Sequence, residues 1–119
     1  MRNNKLLASV DLPSQSEVQD RLLHTLGMSD RPMRPSEIYG LLADQFGLSA
    51  VQRAARRRDR DEPAWNNRVQ FARRRLVDSG DIDNSHRGIW VLTPQGRATE
   101  LRKRRTREAA YELADQLGL

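Results

Sequence analysis

The chain has 119 residues, room for one hydrophobic core and one domain, and a formal charge of +5 with a pI near 10.6 that favours an acidic partner. It has no cysteine, which excludes disulfides, thiolate-held metals and a cysteine nucleophile. No apolar run approaches the roughly 20 residues that cross a bilayer, and the opening MRNNKLLASVDLPS lacks the continuous apolar stretch of a signal peptide, so the expected location is the cytoplasm.

Residues 1–11 are polar apart from a short LLASV cluster and are expected to form an N-terminal arm. Ser14 with Glu17 three residues on is a capping box, and Val18, Leu22, Leu23 and Leu26 follow on one face, which predicts a helix over 14–26 stopped by Gly27. The stretch MSDRPMRP reads as a loop. Beyond Ser36, Ile38, Leu41, Leu42 and Phe46 repeat at helical spacing, with Gly47 as the C-terminal stop. Ser49 and Gln52 form a second capping box, opening a short basic helix over residues 50–58 that DRDEP breaks. Pro63 precedes a further helix in which Trp65, Val69, Ala72 and Leu76 make one apolar stripe. At 100° per residue the opposite face centres on Asn67, Gln70 and Arg74, with Asn66 and Arg73 on one shoulder and Phe71 on the other. After Gly80 the period changes to two: Ile82, a DNSHRG turn, then Ile89 to Leu92, a small hairpin. Thr93 and Pro94 are an N-cap and first-turn proline for a last helix reaching Leu117. Its apolar spacing lapses at RKRRTRE, so the helix is expected to leave the domain surface there, and the end from Ala109 onward to meet a partner or stand free.

Charge is unevenly placed. Residues 50–75 hold nine arginines against three acids, residues 97–107 hold six basic residues against Glu100 alone, and the remainder is net acidic. Two concentrated basic segments point to an oriented face for a polyanion such as nucleic acid; the plain alternative is a solvated arginine-rich surface. The element order, mainly α with a small β-hairpin, is that of a winged helix-turn-helix. A helix fits the DNA major groove, and a hairpin beside it reaches a neighbouring groove or the phosphates.

Asn67, Gln70, Arg73 and Arg74 are the candidates for base contact, because Asn and Gln pair bidentately with adenine and Arg with guanine; the alternative is contact with phosphate alone. Arg68 and Arg75 lie on the flank, where phosphate contact or an internal ion pair is expected, and Asn66 is a first-turn polar residue that serves either role. His86 and Arg87 occupy the hairpin tip, suited to a narrow minor groove, although Asp83, Asn84, Ser85 and Gly88 would also be chosen for the turn itself. Trp65 and Trp90 read as core rather than as a cage for a base, and His24 as a boundary residue with no metal-ligand neighbours. The acids Asp59, Asp61 and Glu62 sit among arginines, which favours ion pairs over a cation site. No catalytic constellation, cofactor motif or metal set is found, so an enzymatic activity is not expected of these residues.

The stretch WNNRVQFARRRLVDSGDIDNSHRGIWVLTPQGR resembles the N-terminal domain of Mrr-type restriction endonucleases. The resemblance rests on Asn67-Arg68-Val69, Phe71-Ala72-Arg73, Leu76, Gly80, Arg87-Gly88-Ile89-Trp90 and Leu92-Thr93 with Gly96, and extends more generically back to residue 12. It implies a winged-helix module over about 12–104 that targets a PD-(D/E)XK nuclease domain to double-stranded DNA, often methylated, with residues 105–119 as a helical extension outside the match. No Glu-x-Lys follows a suitable aspartate, so cleavage is expected to lie in another domain or chain. Two alternatives remain open: a small dimeric transcriptional regulator, its homodimer formed through the last helix by Ala109, Leu113 and Leu117, and an adaptor that binds protein on the same scaffold.

Overall fold

A computed structural model describes residues 11–119, so all but the last residue of the expected N-terminal arm lies outside the described residues. Among the described residues five helices follow one another: α1 (Gln15–Met28), α2 (Pro35–Gln45), α3 (Ala50–Ala54), α4 (Ala64–Asp78) and α5 (Pro94–Gln116). The protein is mainly helical. Among the described residues strand pairing is confined to single antiparallel bridges, Met33 with Trp90, Ile82 with Leu92, and Arg56 with Pro63.

Local chemistry sets most of these ends. The Ser14–Glu17 and Ser49–Gln52 boxes both close, each hydroxyl accepting the amide three residues on while the longer side chain returns to the cap amide. Thr93 Oγ1 accepts from the Gly96 amide at 2.9 Å, and Pro94 supplies the first-turn proline of α5. Each such cap stabilises its helix by about 1 kcal/mol. Two ends differ from expectation. Helix α1 continues through Gly27 to Met28, because this glycine is not a stop but a point of close approach: a Cβ there would lie 2.4 Å from Glu100 Cγ on α5. Helix α3 stops at Ala54 rather than near residue 58, because Arg56 and Arg57 turn back to Asp61 (2.6 Å), Asp59 (2.7 Å) and Glu62 (2.8 Å). That also accounts for the acidic cluster, whose three carboxylates are held by arginine.

The apolar stripe of α4, Trp65, Val69, Ala72 and Leu76, is buried and packs chiefly on α1, whose Val18, Leu22, Leu23 and Leu26 are also buried. Ile38 and Leu42 of α2 complete the centre with no exposed surface. Removing a Val- or Leu-sized side chain from water contributes roughly 1.5–3 kcal/mol, so this α1–α2–α4 contact dominates the fold. Trp90 and Trp65 are both core residues, 4% and 3% exposed. Trp65 Nε1 donates to the Tyr39 carbonyl at 2.9 Å, and the Trp90 and Tyr39 rings meet edge to face at 6.1 Å.

Residues 89–92 lie between two partners. Trp90 exchanges backbone hydrogen bonds with Met33 (2.7 and 3.2 Å), while the Asp83 amide donates to the Val91 carbonyl (2.9 Å). The Met33 pairing falls within the stretch expected to be plain loop. A paired segment one residue long between Pro32 and Pro35 carries no periodicity to detect. The return into α5 is tight: a Cβ on Gly96 would sit 2.0 Å from the Asp81 carbonyl oxygen, so only glycine allows the first turn of α5 to lie on that backbone.

Candidate nucleic-acid interface

Because the apolar stripe of α4 is turned to α1, its other side is left to solvent. Asn67, Gln70, Phe71, Arg73 and Arg74 line one groove there, the same four polar residues that the helical wheel places on or beside the outward face. Their commitments within the protein differ. Arg74 is exposed and takes no part in the ion pairs among the described residues. Gln70 Nε2 donates to the Tyr39 hydroxyl, and partial burial raises the pKa of that hydroxyl above its ordinary range. Gln70 is therefore held against α2 by a neutral phenol, with its amide oxygen left as an acceptor.

Arg73 is engaged with two other elements of the protein. Its guanidinium lies over the Trp90 ring, 5.5 Å from the centroid, and its Nη2 donates to Asn84 Oδ1 at 2.9 Å. Its Nε is buried without a hydrogen-bond partner. Arg73 thus bridges α4 to the 83–88 loop. A cation held over an indole in this way contributes about 0.5–2 kcal/mol.

The loop itself is built around Asp83. The Ser85 hydroxyl (2.6 Å) and amide (2.8 Å) both donate to Asp83 Oδ1. These bonds, with a smaller contribution from the His86 charge, hold the Asp83 carboxyl below its usual range. His86 Nε2 stands 3.6 Å from Asp83 Oδ2, so His86 faces its own turn. Arg87 is exposed at the tip beside Gly88, whose φ of +78° requires glycine.

Two expected contact residues lie away from the groove. Arg68 Nη1 donates to the Pro13 carbonyl at 2.7 Å, and its own carbonyl accepts from Gln15 Nε2 at 3.1 Å. Arg68 therefore fastens α4 to the start of α1. Asn66 is partly buried in the first turn of α4 and does not line the groove.

The second basic segment behaves differently from expectation. Residues 100–107 of α5 do not leave the surface: Lys103 binds Asp20 (2.9 Å), Arg104 binds Glu100 (3.2 Å), and Arg107 Nη2 reaches His24 Nδ1 (3.1 Å). Glu100 is only 2% exposed and also lies 3.2 Å from His24 Nδ1. That ring nitrogen either accepts from Arg107 or, when protonated, donates to Glu100. Polar partners on α1 replace the missing apolar stripe and keep the charged part of α5 in place. Asp81, 7% exposed, plays a similar part at the other end, accepting from Ser79 (2.7 Å) and Thr99 (3.1 Å). The burial of Glu100 and Asp81 is not marked by sequence spacing, because His24 for the one and Thr99 for the other lie on separate elements.

What fold and surface define together is a small basic helical domain with one polar helix face beside a short arginine-bearing loop. It belongs to the Mrr N-terminal domain family, whose model matches residues 16–102, in keeping with the restriction-system context that the sequence resemblance implies. Neither a curated protein nor a solved structure matches the chain. No helix among the described residues is long and apolar enough to cross a membrane.

Proposed function

We propose that this domain binds double-stranded DNA as the targeting module of a Mrr-like restriction system, in the manner of a winged helix-turn-helix. In this reading α4 enters the major groove and residues 82–92 act as the wing. The observation that carries it is the single groove lined by Asn67, Gln70, Arg73 and Arg74, tied through Arg73 and Asn84 to the Arg87 loop. Arg74 and Asn67 are the base or phosphate contacts, and the free amide oxygen of Gln70 accepts from a base amino group. Arg87 and His86 supply the wing contact, Arg73 sets the angle between wing and helix, and Arg68 and Asn66 lie away from the groove. Strand pairing by single bridges still supports a wing, since the bridges at Ile82–Leu92 and Met33–Trp90 anchor both ends of the loop. Cleavage is assigned to a PD-(D/E)XK domain outside these residues.

Fluorescence anisotropy with matched duplexes, unmodified, adenine-methylated and cytosine-methylated, at two salt concentrations tests this reading. Binding that weakens steeply with salt is expected, because each neutralised phosphate releases a counterion. Preference for one modified duplex would identify a modification reader. Absence of binding at low salt would overturn the proposal in favour of a protein-binding adaptor.

A further inference from the structure

Helix α5 has 23 residues and is about 35 Å long at 1.5 Å per residue. Its inner side, Gly96, Glu100, Lys103, Arg104 and Arg107, faces α1 and the Asp81 turn. The other side is unoccupied and carries a pattern of its own. Arg102, Thr106, Ala109, Leu113 and Gln116 follow at alternating steps of four and three, the spacing of a two-helix seam. Ala110 and Leu117 flank that seam on one edge, and Arg105 and Glu112 on the other. Leu113 is 56% exposed and Leu117 65%, and neither Arg105 nor Glu112 takes part in the ion pairs among the described residues.

We propose that this face of α5 is a self-association surface that pairs with α5 of a second copy of the chain, running antiparallel. The charges choose both occupant and direction. With Ala109 of each copy set against Leu113 of the other, small against large on both sides of a twofold axis, Arg105 of each copy falls beside Glu112 of the other. Ala110 and Leu117 then cover one another along the opposite edge. A parallel pair would place Arg105 beside Ala110 and Glu112 beside Leu117, leaving both charges unmatched. Exposed ion pairs add little affinity but do set partner choice and orientation. The seam is short and half of the apolar residues on and beside it are alanine, so the dimer is a weak one that forms with rising concentration. This inference is independent of DNA binding.

The test is sedimentation equilibrium of the 119-residue chain from micromolar to near-millimolar concentration. A monomer–dimer equilibrium is expected. Leu113→Glu abolishes it while leaving helicity and the melting temperature of the monomer unchanged, because Leu113 is exposed there. Arg105→Glu and Glu112→Arg each weaken dimerisation about 3–10-fold, the scale of like charges replacing two exposed pairs. The double variant R105E/E112R returns it to within about twofold of the parent on the same reasoning. A chain that stays monomeric throughout overturns the proposal, as does a dimer indifferent to Leu113→Glu. A dimer that Leu113→Glu dissolves but the charge swap does not rescue overturns the antiparallel arrangement.

Discussion

Arg74 on α4 and Arg104 on α5 sit in equally basic neighbourhoods, yet Arg74 projects into an open groove while Arg104 is folded onto the buried Glu100. The same contrast holds for the two segments as wholes. In the first, the acids of the 59–62 turn take Arg56 and Arg57, and Arg74 on the outer face of α4 is left without an ion pair. In the second, α1 takes Lys103 and Arg107 as structural side chains, and the buried Glu100 of α5 itself takes Arg104. Charge density along a chain measures neither exposed charge nor charge available to a partner. What decides is whether an internal partner, in the same segment or on another element, lies within reach.

The largest effect is expected where α5 meets the rest of the domain. Gly96→Ala drives a methyl into the Asp81 carbonyl, and backbone cannot move aside as a side chain can. Overpacking of this kind costs about 3 kcal/mol, read as a lower denaturant midpoint with an unchanged slope. Glu100→Ala comes next. It leaves Arg104 and the His24–Arg107 contact without their buried anion, and since Arg104 keeps 32% of its side-chain surface in water the full cost of breaking a buried pair is reduced to roughly 2 kcal/mol. Equal stability of Glu100→Ala and wild type would show that α5 holds by other means and would erase the contrast between the two basic segments.

The inner stripe of α4, both capping boxes and the core role of both tryptophans were legible in the sequence, because each is a short-range pattern whose period or spacing has one structural meaning. The outer groove was legible for the same reason: a helix that buries Val69 and Ala72 must expose Gln70 and Arg74. What periodicity could not carry was any contact between elements. Gly27 looked like a helix stop because its close neighbour, Glu100, is 73 positions away. Arg73 read as a free groove residue because nothing local marks Trp90 and Asn84 as its partners, and Arg68 likewise hid its contact with Pro13. The charged stretch of α5 was expected to detach for want of an apolar stripe. It stays because His24 and Asp20 supply the polar equivalent.

Neighbouring arginines on α4 sharpen the contrast within one helix. Arg74→Ala should leave stability within about 0.5 kcal/mol, as an exposed substitution away from any cap or pair does. If the DNA-binding reading holds, it lowers affinity roughly 5–10-fold and reduces the salt slope by about one. Arg73→Ala should behave in the opposite way: stability falls by about 1 kcal/mol from the lost cation–π contact, and amide signals of residues 83–88 sharpen toward those of a mobile loop in the free protein. On the same reading any loss of DNA affinity in that variant comes with an unchanged salt slope, because Arg73 is there assigned to positioning the loop and not to phosphate. Identical salt slopes for Arg74→Ala and wild type would place Arg74 off the DNA and move the contact surface elsewhere.

The smallest effect concerns the loop alone. Asp83 has its pKa lowered, first by the Ser85 hydroxyl, then by the Ser85 amide and the His86 charge. A carboxyl held below its unfolded value contributes order that is present above the unfolded value of about 3.9 and is lost as pH falls through the lower folded value. The Ser85 amide proton shift should therefore titrate with a midpoint below that of an ordinary aspartate, while core amides such as that of Val69 stay fixed through the same range. Asp83→Asn removes the titration and keeps an acceptor for both Ser85 donors, so the turn survives at neutral pH. The loop then differs from α4 in kind: the Ser85 bonds at its start depend on the charge of one partly exposed carboxylate, whereas the face of α4 is fixed by four buried apolar side chains that no change of pH reaches.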